Sequence, residues 1–225
     1  MQVIGHRGAK GHAPENTLIS FNKAIELGCH GIELDVHCSV DGIPFVIHDS
    51  TVDRTTSGTG KVCDLNALQL KALLIDNNHK IPTLLEVFEL IGQQCIVNVE
   101  LKVRAAVEPV VDLINEFVSS RKRKFSDFVI SSFDWEALQE VHNLQPEIPI
   151  GVLTSTDIKL AAGFASYINA EAIHPYFHLI NEQNVKELTE QGFKIFPWTV
   201  NEQADIDVVK KLQVSGIITD FPERI

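Results

Sequence analysis

The sequence predicts an α/β protein folded as a closed (βα)8 TIM barrel. Three observations carry that prediction. Eight short apolar runs rich in Val, Ile and Phe recur along the chain, helix-like segments separate them, and polar residues gather just after the runs. Strands alternating with amphipathic helices make parallel βα units, and eight such units close into a barrel whose reacting groups sit at the C-terminal ends of the strands.

The first strand is expected at residues 3–5 and a helix at residues 15–27, where Leu18, Phe21, Ala24 and Ile25 fall at helical spacing and Gly28 is a stop. The second strand is expected at residues 32–36. Alternate side chains of an extended strand share a face, so Glu33 and Asp35 point the same way and His37 follows them. Asp41-Gly42 reads as a tight turn, because both residue types tolerate positive φ, and the return through residues 43–47 delivers His48-Asp49 beside the strand. Residues 50–81 are too long for an ordinary loop and are expected to form an insertion over the barrel mouth. Within it Gly58-Thr59-Gly60-Lys61 could cradle a phosphate, but without a strand before it and a helix after it the stretch reads first as a flexible turn. A helix at residues 83–91 opens after Pro82, and strands follow at 96–101, 128–131, 148–153 and 171–174. A helix at 181–190 ends before Gly192, and the last strands are expected at 194–198 and 216–219. No internal repeat or linker interrupts the chain, so residues 1–225 are read as one domain.

The composition bounds the function. With 225 residues, 44% of them hydrophobic, the chain can bury a sizeable core. A formal charge of −11 and a pI near 5.2 argue against a nucleic-acid partner, which needs a clustered basic footprint. The one basic cluster, residues 121–124, reads as a solvated helix end. Cys29, Cys38, Cys63 and Cys95 show no CxxC spacing and suit reduced thiols in the cytosol. No leader pattern and no run of about 18 apolar residues is visible. The expectation is a cytoplasmic protein with no stable membrane association; a homodimer is compatible with it.

The residues that end the runs make an unusually polar rim: His6-Arg7-Gly8, Glu33-Leu34-Asp35, Glu100-Leu101-Lys102, Ser131-Ser132, His174, Trp198 and Asp220. Glu33, Asp35 and Glu100 in one pocket would repel one another unless a cation neutralises them, and an all-oxygen set favours Mg²⁺ or Ca²⁺ over zinc. The competing account is a structural ion-pair network with Arg7 and Lys102. His6 and His48 flank the same pocket and supply a proton acceptor and a proton donor. Arg7 offers a planar fork and Lys102 a compact charge, which together suit a phosphate. A Schiff-base role for Lys102 is disfavoured, because three neighbouring carboxylates would hold it protonated. His12, His30 and His79 read as surface residues, His37 is intermediate, and His174 is expected to line the pocket. Trp198 is either a rim wall against a substrate's carbon skeleton or a core aromatic.

At these residues the sequence resembles the glycerophosphodiester phosphodiesterase family, most closely its bacterial cytosolic members. The resemblance runs over nearly the whole chain. It includes His6-Arg7-Gly8, Pro14-Glu15-Asn16-Thr17, Glu33-Leu34-Asp35, Asp41-Gly42 with His48-Asp49, and Asp53-Arg54-Thr55-Thr56 with Gly58 and Gly60. It continues through Ile81-Pro82-Thr83-Leu84 with Glu86, Asn98-Val99-Glu100-Leu101-Lys102, Ser131-Ser132-Phe133, Pro197-Trp198-Thr199-Val200-Asn201 and Gly216-Ile217-Ile218-Thr219-Asp220. The resemblance implies a barrel with a small insertion after the second strand, one divalent ion at Glu33, Asp35 and Glu100, and an acid and a base at His6 and His48. It implies metal-dependent hydrolysis of a small-molecule glycerophosphodiester to sn-glycerol 3-phosphate and an alcohol. A catalytically silent phosphodiester-binding module and a phospholipid-cleaving lyase of the same barrel type are the alternatives. Two departures from the family pattern stand out: the last helix is missing or reduced to a turn, and His174 occupies a position where a small polar residue is expected, near the leaving group.

Overall fold

The computed structural model describes residues 1–121 and 123–225. Its first unit is β1 (Gln2–Gly5) followed by α1 (Leu18–Glu26), and its second strand is β2 (Gly31–Cys38). The chain turns at Gly42, whose φ of 80° needs a residue without a Cβ, and returns as β3 (Pro44–Val46), antiparallel to β2. The insertion that follows contains α2 (Ala67–Ala72) and a small hairpin of β4 (Leu74–Ile75) and β5 (His79–Lys80). Regular alternation then resumes with α3 (Leu84–Ile91), β6 (Ile96–Leu101), α4 (Val107–Arg121), β7 (Phe128–Ser132), α5 (Trp135–Leu144), β8 (Ile150–Thr154) and α6 (Ile158–Tyr167). The chain ends with β9 (Ala172–Pro175), α7 (Glu182–Glu190), β10 (Lys194–Ile195), α8 (Gln203–Lys211) and β11 (Gly216–Thr219).

Eight of these strands run parallel in the order β10, β9, β8, β7, β6, β2, β1, β11. Backbone bonds from Ser215 N to Ile195 O (3.1 Å) and from Ile218 N to Pro197 O (3.0 Å) join the two ends of that path into a ring. Helices cover the outside, and the core between the layers includes the packed rings of Phe88, Phe117 and Phe128, with centroids 5.0 to 6.3 Å apart. β11 is followed by a 3-10 turn at Pro222–Arg224.

Several element boundaries differ from the sequence expectation, each for a local reason. α1 starts at Leu18 rather than at Glu15, because Asn16 has a φ of 57° and Thr17 caps the helix by accepting from Ser20 N. The same capping chemistry moves the starts of α3 and α7 to one residue after Thr83 and Asn181. β10 stops at Ile195, short of Trp198; Pro197 has no N–H to continue a ladder. The strand expected from residue 148 begins at Ile150. The basic cluster departs from a solvated helix end at Arg123, while Lys124 is exposed as expected. Its Lys122 lies outside the described residues, but Arg123 is buried, donates to the carbonyls of Gly92, Cys95 and Asp127, and lies 4.8 Å over the Phe128 ring. These carbonyls leave a charge at this position no reason to face water.

The insertion has a core of its own. Val52, Val62, Leu70, Ile75 and Ile81 are buried against Phe45 and Ile47 of the returning arm, so the segment is packed onto the β2–β3 hairpin. The amides of Gly58 and Gly60 are taken by Thr56 Oγ1 and Asp53 Oδ2, so the two glycine donors of the Gly58–Lys61 stretch are already used within the insertion.

Candidate active site

Strand register builds the acidic cluster. Glu33 and Asp35, two residues apart on β2, face the barrel axis together, and the parallel pairing of β2 with β6 sets Asp35 beside Glu100. One oxygen from each of the three carboxylates lies within 4.8 Å of the others. The backbone at Arg7 is left-handed, with a φ of 51°, and turns the Arg7 N–H toward Glu33 Oε2 at 2.8 Å. Gly8 sustains that turn, since a Cβ there would meet Ser20 Oγ at 2.4 Å. A non-glycine residue held at positive φ costs stability and persists where a site demands it.

The charges are unevenly satisfied. Asp35 accepts from Asn16 Nδ2 at 2.8 Å and lies 3.3 Å from Arg7 Nε and 3.5 Å from Lys102 Nζ. Burial opposes its ionisation, but Arg7 and Lys102 outweigh burial and hold the carboxyl below its ordinary range. Glu33 goes the other way: burial first, then Asp35 and Glu100, push its pKa well up. Glu100 is raised by burial and by Asp35, although Lys102 Nζ donates to it at 2.6 Å. Glu33 Oε1 and Arg7 Nε are buried without a hydrogen-bond partner. An ion-pair network alone leaves that Glu33 oxygen orphaned; a hard cation among three carboxylates would satisfy it, so the residues fit a divalent ion.

Both imidazoles are oriented by carboxylates. His6, at the end of β1, places Nδ1 at 2.6 Å from Asp220 Oδ1, and Asn201 Nδ2 donates to the other oxygen of Asp220 at 2.9 Å. His48 follows β3, where Ile47 N bonds Asp35 O at 2.9 Å, and its Nδ1 lies 2.6 Å from Asp49 Oδ1. Hydrogen bonds from Arg54 and His48 hold Asp49 well below the usual carboxylate range; Asp220 is held down by His6 against its burial. An ionised carboxylate on Nδ1 keeps the proton there and presents Nε2 to the cleft. Burial lowers the His48 pKa, opposed in part by Asp35. His37 is buried and its Nε2 lies 3.1 Å from the His48 carbonyl, where it steadies the backbone that carries His48.

The cleft above the carboxylates is lined by His6, Arg7, Glu33, His48, Glu100, Lys102 and Trp198, together with Phe133, Thr199 and others. Asp35 lies beneath them, fully covered. Trp198 forms a wall edge-on to Phe133 at 5.5 Å and donates Nε1–H to His174 O at 2.7 Å. The structure thus brings all eight expected site residues together. His174 is the correction: it does not line this cleft but faces the lower barrel interior, against Gly151 and Phe196, where burial pushes its pKa down to about 3. The missing Cβ of Gly151 makes room for that ring. Sequence reasoning also missed Asp220 and Asp49 as imidazole partners, Asn16 as a support for Asp35, and Glu15, which joins Arg7 Nη1 at 2.9 Å. The adjacency of His48 and Asp49 was a visible signal, whereas Glu15 and Asn16 were hidden inside an apparently helical pattern.

Acid–base imidazoles beside fixed cations and a carboxylate cluster at the C-terminal mouth of a parallel barrel suit an enzyme that cleaves a phosphoester. The profile of the glycerophosphoryl diester phosphodiesterase family matches residues 6–224. The chain belongs to that family and is a phosphodiesterase. It is 38% identical to a glycerophosphodiester phosphodiesterase of Caldanaerobacter subterraneus, over 99% of this chain and 95% of the relative. Among solved structures it is similar to an Oleispira antarctica phosphodiesterase in complex with its product sn-glycerol-3-phosphate, with a TM-score of 0.91, 30% identity, and 100% and 95% of the two chains covered. It is also similar to the Thermotoga maritima glycerophosphodiester phosphodiesterase, with a TM-score of 0.84, 32% identity, and 99% and 96% covered.

Proposed function

We propose that the chain hydrolyses soluble glycerophosphodiesters, such as glycerophosphocholine and glycerophosphoethanolamine, to sn-glycerol 3-phosphate and the free alcohol, with one Mg²⁺ or Ca²⁺ held by Glu33, Asp35 and Glu100. The buried, unpartnered Glu33 oxygen amid three converging carboxylates is the observation that carries the reading. Charge supports it: three carboxylates against Arg7 and Lys102 give the pocket floor a formal −1, so a divalent ion and a phosphodiester monoanion together bring it to zero. A bound divalent ion supplies Lewis-acid polarisation of a phosphoryl oxygen. Arg7 and Lys102 bind the phosphoryl group and stabilise the charge that develops on it. Of His6 and His48, one takes the proton of the attacking oxygen and the other protonates the departing alkoxide, each oriented by its carboxylate. Trp198 walls the cleft against the carbon skeleton of the substrate.

Residues 1–225 act in this reading as one domain, in the cytoplasm, in lipid and glycerol metabolism and without a nucleic-acid partner. The acidic charge and the free cysteines support that placement; no helix among the described residues is long and apolar enough to cross a membrane. The test is product analysis with glycerophosphocholine, glycerophosphoethanolamine and phospholipid vesicles. Glycerol 3-phosphate is expected from the soluble diesters. Cleavage of vesicles alone would indicate a lyase, and binding without turnover a silent module.

A further inference from the structure

Arg54 stands on the insertion, outside the reaction cleft, yet its guanidinium is used on two sides. Nε donates to Asp49 Oδ2 at 2.6 Å and Nη2 to Asp49 Oδ1 at 3.0 Å; Nη1 donates to Glu15 Oε2 at 3.0 Å and Nη2 to Glu15 Oε1 at 2.7 Å. Each carboxylate then passes the contact on. Asp49 Oδ1 meets His48 Nδ1 at 2.6 Å, and Glu15 Oε1 accepts from Arg7 Nη1 at 2.9 Å. An unbroken chain of charged hydrogen bonds therefore runs from the His48 imidazole through Asp49, Arg54 and Glu15 to the Arg7 guanidinium. Its ends lie in the cleft; its centre does not.

An exposed ion pair ordinarily contributes little. Arg54 differs because its partners are more enclosed than it is: its side chain is 48% exposed, those of Glu15 and Asp49 only 11% and 29%. It also grips both carboxylates with a planar fork, a geometry that lysine, a point charge, cannot reproduce.

We propose that Arg54 is a positioning residue for phosphodiester cleavage, which fixes Asp49 and thereby His48, and at the same time fixes Glu15 and thereby Arg7. On this view the insertion does more than cover the barrel: it sets the separation between the proton-transferring imidazole and the phosphate-binding guanidinium. The inference rests on the roles given above to His48 and Arg7.

The test compares wild type, Arg54→Met and Arg54→Lys in two measurements that do not depend on each other. In ¹⁵N-labelled protein the His48 ring, assigned with His48→Gln, is expected to show a single Nδ1–H tautomer in wild type and a mixed or broadened signal in Arg54→Met. In turnover of glycerophosphocholine, Arg54→Met is expected to lose about tenfold or more in kcat, in the range seen when partners that orient site residues are removed. Arg54→Lys should recover only part of that loss, and adding Asp49→Asn to Arg54→Met should cost less than the separate losses multiplied. An unchanged His48 signal in Arg54→Met overturns the proposal whether or not the protein turns this substrate over. A lowered melting temperature with unchanged kcat also overturns it and leaves Arg54 a structural tether. A silent wild type with a disturbed His48 signal upholds the positioning and rejects the substrate.

Discussion

His6 and His174 both end apolar runs, and the barrel gives them opposite chemistry. His6 keeps an ionised carboxylate on Nδ1 at the mouth, while His174 sits in the lower interior with its Nδ1 unpartnered. Its folded pKa of about 3 lies below the value near ~6.5 that it takes when unfolded. Between those values the unfolded chain binds the extra proton, so stability falls as pH drops through that window, by up to about 1.4 kcal/mol per pH unit from this group. Urea unfolding of wild type and His174→Leu from pH 6.5 to 5 should therefore show wild type losing the more stability; parallel curves would mean the imidazole is not buried neutral. At the cleft, His6→Ala and His48→Ala should each lower turnover by about 10²- to 10⁴-fold with little change in the half-saturating divalent concentration. Near wild-type turnover in either variant removes that histidine from the mechanism.

At the scale of elements, what could be read from sequence was what hydrophobic pattern controls. Two barrel strands, Ile96–Leu101 and Gly216–Thr219, have the boundaries that their apolar runs imply, and His48 returns to Asp35 as the Asp41-Gly42 turn requires. What escaped was set by backbone dihedrals or by partners remote in sequence. The left-handed Asn16 frees Glu15 from a helix that its neighbours' periodicity suggested, and Asp220 reaches His6 across almost the whole chain. The insertion itself was legible from its length, but its internal packing escaped for a third reason: its core residues Val52, Val62, Leu70, Ile75 and Ile81 follow no regular period. That core makes a prediction of its own. Leu70 is fully buried, so Leu70→Ala should cost about 2–5 kcal/mol of the segment's stability. Limited proteolysis should then cut first within residues 50–81; an unchanged cleavage pattern would show that the insertion does not depend on this packing.

The whole molecule carries a formal charge of −11 and still concentrates two cations on the floor of one cleft, among carboxylates whose ionisation burial opposes. The barrel makes this possible by bringing the ends of β1, β2 and β6 to one rim, with the β2–β3 hairpin adding His48 and the turn after β11 adding Asp220. A cation bound there couples to folding as any ligand of the native state does, raising stability by about 2.7 kcal/mol at a hundred times its Kd. The cluster is the centre of the account, and one titration addresses it directly. Glycerol 3-phosphate release from glycerophosphocholine is measured on EDTA-stripped wild type and on Glu33→Gln as Mg²⁺ or Ca²⁺ is added. The account predicts no turnover without the ion, saturable recovery in wild type, and a half-saturating concentration raised about tenfold or more in Glu33→Gln. Full turnover in excess EDTA, or the same half-saturation in both proteins, would contradict it.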